Sequence, residues 1–175
     1  MQRQPTLLSS CAKAATAAEA RYRITASAFT SRSSRVIALD EPAAEVVRAL
    51  AEQTWDGGRF FVFDSALPDD ALLRRVVVGA AVDGADGQGP GTALLSEELD
   101  GADTVVMIAS AATNAVAASV IGDAAADRSI MTAGLVLPGA APLGGAVSAL
   151  RPNAMVLVVL KEAADVPEVL AALRV

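Results

Sequence analysis

Six short aliphatic runs recur along the chain, each apolar at consecutive positions, with segments of helical period between them. The runs are residues 35–39, 59–63, 75–82, 104–109, 130–137 and 154–160. A strand with one wet face alternates apolar and polar residues, whereas a run apolar at nearly every position fits a strand covered on both sides. Strands of that kind need crossover helices above and below them.

The intervening segments supply such helices. In residues 41–53, Ala43, Val46, Val47 and Leu50 fall on one face, Asp40 stands at the N-cap position and Pro42 in the first turn. Near the end of the chain Asp165 and Glu168 form a capping-box-like pair, Pro167 sits in the first turn, and Val166, Val169, Leu170 and Leu173 share a face. Residues 92–99, 114–127 and 143–150 are further helix candidates, the second weakened by Gly122 and expected to be capped by Thr113. Strand and helix alternating in this way predict right-handed crossovers and an α/β fold. The expected architecture is a three-layer Rossmann-like sandwich, a mostly parallel sheet of about six strands with helices on both faces. Residues 35–175 form this single domain.

Residues 1–34 read as a basic, Ser- and Ala-rich N-terminal extension of loose order. Through residue 35 the chain carries six basic residues against Glu19 alone, a net +5, and the remainder carries eight against nineteen acidic, a net −11. An acidic body repels phosphate backbones, which argues against nucleic-acid binding. No run of 18 uninterrupted apolar residues is present, so no membrane span is expected. The tail has an organellar-transit composition but no apolar secretion core, and Cys11 has no second cysteine to pair with; the chain reads as cytoplasmic.

The absence of His and the single Cys remove Ser-His-Asp and Cys-His catalysis and leave too few soft ligands for zinc. What remains is carboxylate, hydroxyl, Lys, Arg and backbone chemistry. In a parallel sheet that chemistry gathers where strands end. After the first run the chain reads Leu39-Asp40-Glu41-Pro42, without the Gly-x-Gly-x-x-Gly of a dinucleotide site, so NAD and FAD are not expected. After the third, Asp83-Gly84-Ala85-Asp86-Gly87-Gln88-Gly89-Pro90-Gly91-Thr92 is the richest loop. Gly84, Gly87, Gly89 and Gly91 leave backbone N–H groups free to wrap an anion, and Thr92 stands where it would cap a helix. Ser110, Thr113 and Asn114 follow the fourth run and complete the candidate ligand-binding set. Asp40, Asp64 and Asp83, each after a strand, are the candidate ligands of a metal such as Mg²⁺. Lys161, the one Lys of the body, follows the last run. No residue stands out as catalytic.

Three stretches come in a familiar order: Gly84-Ala85-Asp86-Gly87-Gln88-Gly89-Pro90-Gly91, then Leu99-Asp100-Gly101-Ala102-Asp103-Thr104-Val105-Val106-Met107-Ile108-Ala109, then Ile130-Met131-Thr132-Ala133-Gly134-Leu135-Val136. Together they resemble the nucleotide-binding half of the tubulin and FtsZ superfamily over about Val77 to Leu137. That family has a glycine-rich phosphate loop where this chain has Ala111-Ala112-Thr113-Asn114-Ala115-Val116-Ala117, and another glycine-rich loop where this chain has Asp40, Glu41 and Pro42. The family's second, hydrolysis-completing domain has no counterpart in these residues. The resemblance therefore implies a domain without ordinary GTP binding or polymer-coupled hydrolysis. A further resemblance, to ketopantoate hydroxymethyltransferases, which use Mg²⁺ and a folate, would imply Asp40, Asp64 and Asp83 as metal ligands. That family is a (β/α)₈ barrel of about 200 residues or more, which 175 residues and six strands do not hold.

The expected function is a non-catalytic binding or assembly module. The alternative is a small Mg²⁺-dependent enzyme or nucleotide binder using the strand-end carboxylates and the Gly-rich loop. Since 53% of residues are hydrophobic and only 3% aromatic, the apolar surface exceeds what one sheet needs, and a homo-oligomer, most simply a two-fold dimer, is expected. A protein partner is a further possibility.

Overall fold

Consecutive β-branched and aliphatic residues lie in the middle of a seven-stranded mixed, mostly parallel sheet. A computed structural model describes residues 32–66, 70–76 and 91–175. In chain order the elements are β1 (Ser34–Ala38), α1 (Glu41–Ala51), β2 (Gly58–Ala66), β3 (Ala71–Arg75), β4 (Thr92–Leu94), α2 (Leu95–Leu99), β5 (Thr104–Ala109), α3 (Ala115–Asp127), β6 (Met131–Val136), α4 (Gly144–Leu150), β7 (Val156–Val159) and, after a 3₁₀ turn at Ala163–Asp165, α5 (Val166–Ala172). The sheet order is β4-β3-β2-β1-β5-β6-β7. Neighbours from β2 through β7 run parallel, while β3 and β4 add an antiparallel edge.

Every residue of β1 and β5 is buried, and their alternate side chains enter two separate cores. Ile37, Phe61, Val105 and Met107 lie under α2, α3 and α4, where Leu95, Leu99 and Ile121 meet them. On the other face Val36, Val106, Ile108 and Leu135 lie under α1 and α5, against Val47 and Leu170. Small residues let the helices approach closely. Ala117, Ala118 and Ala125 of α3 are fully buried, and Gly122 sits where a Cβ would lie 2.6 Å from the Cβ of Asn153. The helix tolerates the glycine because a neighbouring segment needs the space. Among the described residues no helix is long and apolar enough to cross a membrane.

Five of the six expected runs are strands within a few residues. Of the third, residues 75–82, only Arg75 lies in a described strand, β3 (Ala71–Arg75); Val76 lies beyond it, and residues 77–82 fall outside the described residues. β3 folds back antiparallel on β2, and its half-exposed pattern lacks the continuous apolar run of the parallel strands. Residues 92–99 are not one helix, because Thr92–Leu94 pairs with β3 before α2 begins. Asn114, not Thr113, caps α3 by accepting from the Val116 N–H at 2.9 Å. The closing capping box is formed by Glu162 and Asp165 on the 3₁₀ turn, one turn earlier than expected. Of the N-terminal extension, residues 1–31 lie outside the described residues; Ser34 already belongs to β1.

Charge inside the fold is concentrated on Glu98 of α2, whose side chain is 5% exposed. Arg59 reaches both of its oxygens, at 2.9 Å and 2.7 Å, Arg75 donates to Oε1 at 2.6 Å, and Arg35 donates to its backbone carbonyl at 2.7 Å. Burial, with Arg59 alongside, pulls the Arg35 guanidinium below the ordinary arginine value while Glu98 pulls the other way. One carboxylate thus joins β1, β2 and β3 to α2. Removing it leaves three guanidiniums facing one another, so Glu98→Ala is expected to cost about 3–5 kcal/mol, read as a lowered midpoint in urea unfolding.

Asp70, just before β3, ties the edge to α2 from the other side. It accepts from the Ser96 hydroxyl, the Ser96 N–H at 3.3 Å and the Ala71 N–H at 2.7 Å. Burial pushes its carboxyl up, but these hydrogen bonds outweigh it and hold the group below its ordinary value. A depressed folded-state pKa contributes stability above the unfolded value that disappears as pH falls through the folded one. The stability gap between the native protein and Asp70→Asn is therefore expected to narrow between about pH 5 and about pH 3, measured by urea unfolding across that range.

Candidate functional site

The strand order reverses between β1 and β5. From β1 the chain crosses through α1 on one face to β2, and it returns through α2 on the other face to β5 on the opposite side of β1. A crevice at the carboxyl ends of two such strands is where open α/β sheets place ligands. Its walls are the β1–α1 turn at Leu39 and Asp40 and the β5–α3 loop from Ser110 to Asn114.

Asp40 bridges the two. Its Oδ1 accepts from the Ala43 N–H at 3.0 Å, capping α1, and its Oδ2 accepts from the Ser110 N–H at 2.8 Å. The capping role follows from the sequence: an Asp directly before Glu41 and Pro42, where the first-turn N–H groups need an acceptor. The Ser110 contact does not, because it joins residues 70 apart in the chain. Ser110 is itself 9% exposed, and its Oγ accepts from the Ala112 N–H at 3.1 Å. Asn114 spends its side-chain oxygen on α3. Thr113 Oγ1 is buried with no hydrogen-bond partner among the described residues. Glu41 on the rim donates nothing and accepts from Arg48 at 2.8 Å, which holds its carboxyl below the usual value.

Ser110, Thr113 and Asn114 thus share one loop at the crevice. Gly91 and Thr92 do not join them: Gly91 is a left-handed turn residue (φ +96°) whose carbonyl accepts from the Arg75 N–H, and Thr92 opens β4 instead of capping a helix. Four inter-strand steps separate β4 from β5, about 19 Å at ~4.8 Å each. Gly84, Gly87, Gly89 and Asp83 lie outside the described residues. Asp64 lies within β2, not after it, beside an irregularity in the β2–β3 register, and pairs with Arg74 at 2.7 Å. Among the described residues no three His, Cys, Asp or Glu side chains are grouped to hold a metal. Lys161 is exposed beyond β7.

A second depression, of about 460 Å³, opens at the amino ends of the strands, between α3 and the segment entering β7. Gly122, Asp123, Ser129, Thr132, Asn153 and Met155 line it. Nothing in the local sequence announces it, since its residues come from α3, the turn after it, the start of β6 and the segment before β7, whose meeting depends on the tertiary packing. No protein-family model, curated protein or solved structure matches the chain.

The Asp40 bridge is testable by substitution. Asp40→Ala removes the α1 cap and strands the Ser110 N–H, an expected loss of about 2 kcal/mol. Asp40→Asn retains an oxygen for the cap and is expected to lose less; urea unfolding of both variants checks the order.

Proposed function

We propose that the protein is a non-catalytic, self-associating assembly module of Rossmann-like build, a degenerate relative of the nucleotide-binding half of the tubulin and FtsZ superfamily. The observation that carries this reading is the Asp40 bridge. At a switch point, a ligand phosphate takes N–H donors from a helix N-terminus and the neighbouring loop. Here Asp40 takes one donor from each, and a second negative charge beside it is disfavoured. The order of the five parallel strands, counted among themselves as 2-1-3-4-5, and the helices on both faces support the reading as a doubly wound three-layer sandwich. Self-association is supported by the exposed Met155, Val156 and Val159.

A thermal-shift series with GTP, GDP, ATP, NAD and coenzyme A, each with and without Mg²⁺, tests the first half of the proposal. A ligand at about 100 times its Kd adds about 2.7 kcal/mol, which moves the melting point by several degrees in a domain of this size. No shift with any of them is the expected result. A Mg²⁺-dependent shift with one nucleotide would replace this reading with that of a small Mg²⁺-dependent enzyme or nucleotide binder acting through Asp40, Asp64, Asp83 and the 84–91 loop. Sedimentation velocity tests the second half: a dimer is expected, and a monomer at high micromolar concentration would overturn it.

A further inference from the structure

Strand β7 ends the parallel side of the sheet, and its outer edge has no strand neighbour among the described residues. Sheets ordinarily blunt such an edge with a charge, a proline, a bulge or extreme shortness. The opposite edge, β4, is three residues long. β7 is itself four residues long, but from Met155 to Leu160 its segment carries no charge, no proline and no bulge, reading Met-Val-Leu-Val-Val-Leu. Met155 is 77% exposed, Val159 50% and Val156 42%; of the exposed large apolar side chains among the described residues, only Val116 lies elsewhere.

We infer that a second copy of this chain covers this edge, β7 pairing with β7 across a two-fold axis perpendicular to the sheet. The inference rests on the self-association reading above and specifies its surface. Such an axis makes the two strands antiparallel and keeps each face of the sheet continuous. Because side chains alternate between faces, opposed residues must be of like parity. Centring the pair on Leu157 places Met155 opposite Val159 of the second copy and Val156 opposite Val158, each contact occurring twice. The two most exposed apolar side chains of the segment, Val159 of the strand and Met155 just before it, are then each other's partners.

The charges at the two ends of the strand agree. Arg151, at the amino end, is exposed and has no ion pair among the described residues. Beyond the carboxyl end stand Lys161, Glu162 and Asp165, a net negative group. An antiparallel pair brings Arg151 to the carboxyl end of the second copy, where Glu162 lies, and does so twice. A parallel arrangement would set like ends together and would not close under two-fold symmetry.

Cross-linking in a full-length Cys11→Ser background tests the register. In the proposed pairing, positions 155 and 159 of the two copies are directly opposed, with Cα atoms about 4.5–5.5 Å apart, within disulfide reach. Two copies of position 155 are offset by four residues, about 13 Å, beyond it. Mixing Met155→Cys with Val159→Cys protein under mild oxidation is therefore expected to give a covalent dimer, and either variant alone is not. Val159→Lys, at an exposed position, is expected to weaken dimerisation on the order of 100-fold in sedimentation velocity while circular dichroism stays native-like. A dimer that survives Val159→Lys and gives no mixed cross-link would overturn this interface and leave self-association standing on another surface. A native protein that sediments as a monomer would overturn both.

Discussion

Strands buried on both faces impose a demand that the rest of the molecule answers. β1 and β5 present Val36, Ile37, Val105, Val106, Met107 and Ile108 alternately to two cores, so neither side of the sheet can meet water. The helices must then cover both faces while the strands stay parallel, which the crossovers achieve. Close coverage in turn selects small helix residues. Ala117, Ala118 and Ala125 of α3 are fully buried, a Cβ on Gly122 would meet Asn153, and the low aromatic content fits packing by many small contacts.

Polar residues inside this arrangement do two separate jobs at its two ends. At the amino end Glu98 gathers Arg35, Arg59 and Arg75, tying three adjacent strands to a five-residue helix that could not persist alone. At the carboxyl end Asp40 joins the two loops that flank the switch point. The first is a structural network in which the cations outnumber the carboxylate. The second uses the donors that make such a crevice attractive to anions, and this links the stability of the β1–α1 turn to the site's chemistry.

Much of the sheet was legible because its signal is local. A run such as Thr104–Ala109, apolar at five of six positions and followed by small residues, specifies a buried strand without reference to anything distant. Asp40 as an N-cap was legible for the same reason. The edge was not: Ala71–Arg75 pairs antiparallel with β2, and its Leu72 to Arg75 pattern is too short and too polar to register as a fully buried run. Thr92–Leu94 has helix-compatible residues and becomes a strand through pairing with β3. Among the candidate site residues, Ser110, Thr113 and Asn114 fell together because they adjoin in sequence. Gly91 and Thr92 parted from them because strand order, which places β4 four steps from β5, is a tertiary property.

The two edges of the sheet also bear on the kind of assembly that the fold permits. A filament built head to tail needs two different complementary surfaces on each copy, whereas a two-fold dimer needs one that is complementary to itself. Of the two sheet edges among the described residues, β7 carries the exposed apolar side chains Val156 and Val159 and no charge, whereas β4 is three residues long and lies against Arg74 of β3. The proposed pairing of β7 with itself would use up that edge. In a two-fold arrangement of that kind the surface that joins the copies is consumed by the joining, which is why a self-complementary edge closes a dimer where two different complementary surfaces would extend a filament.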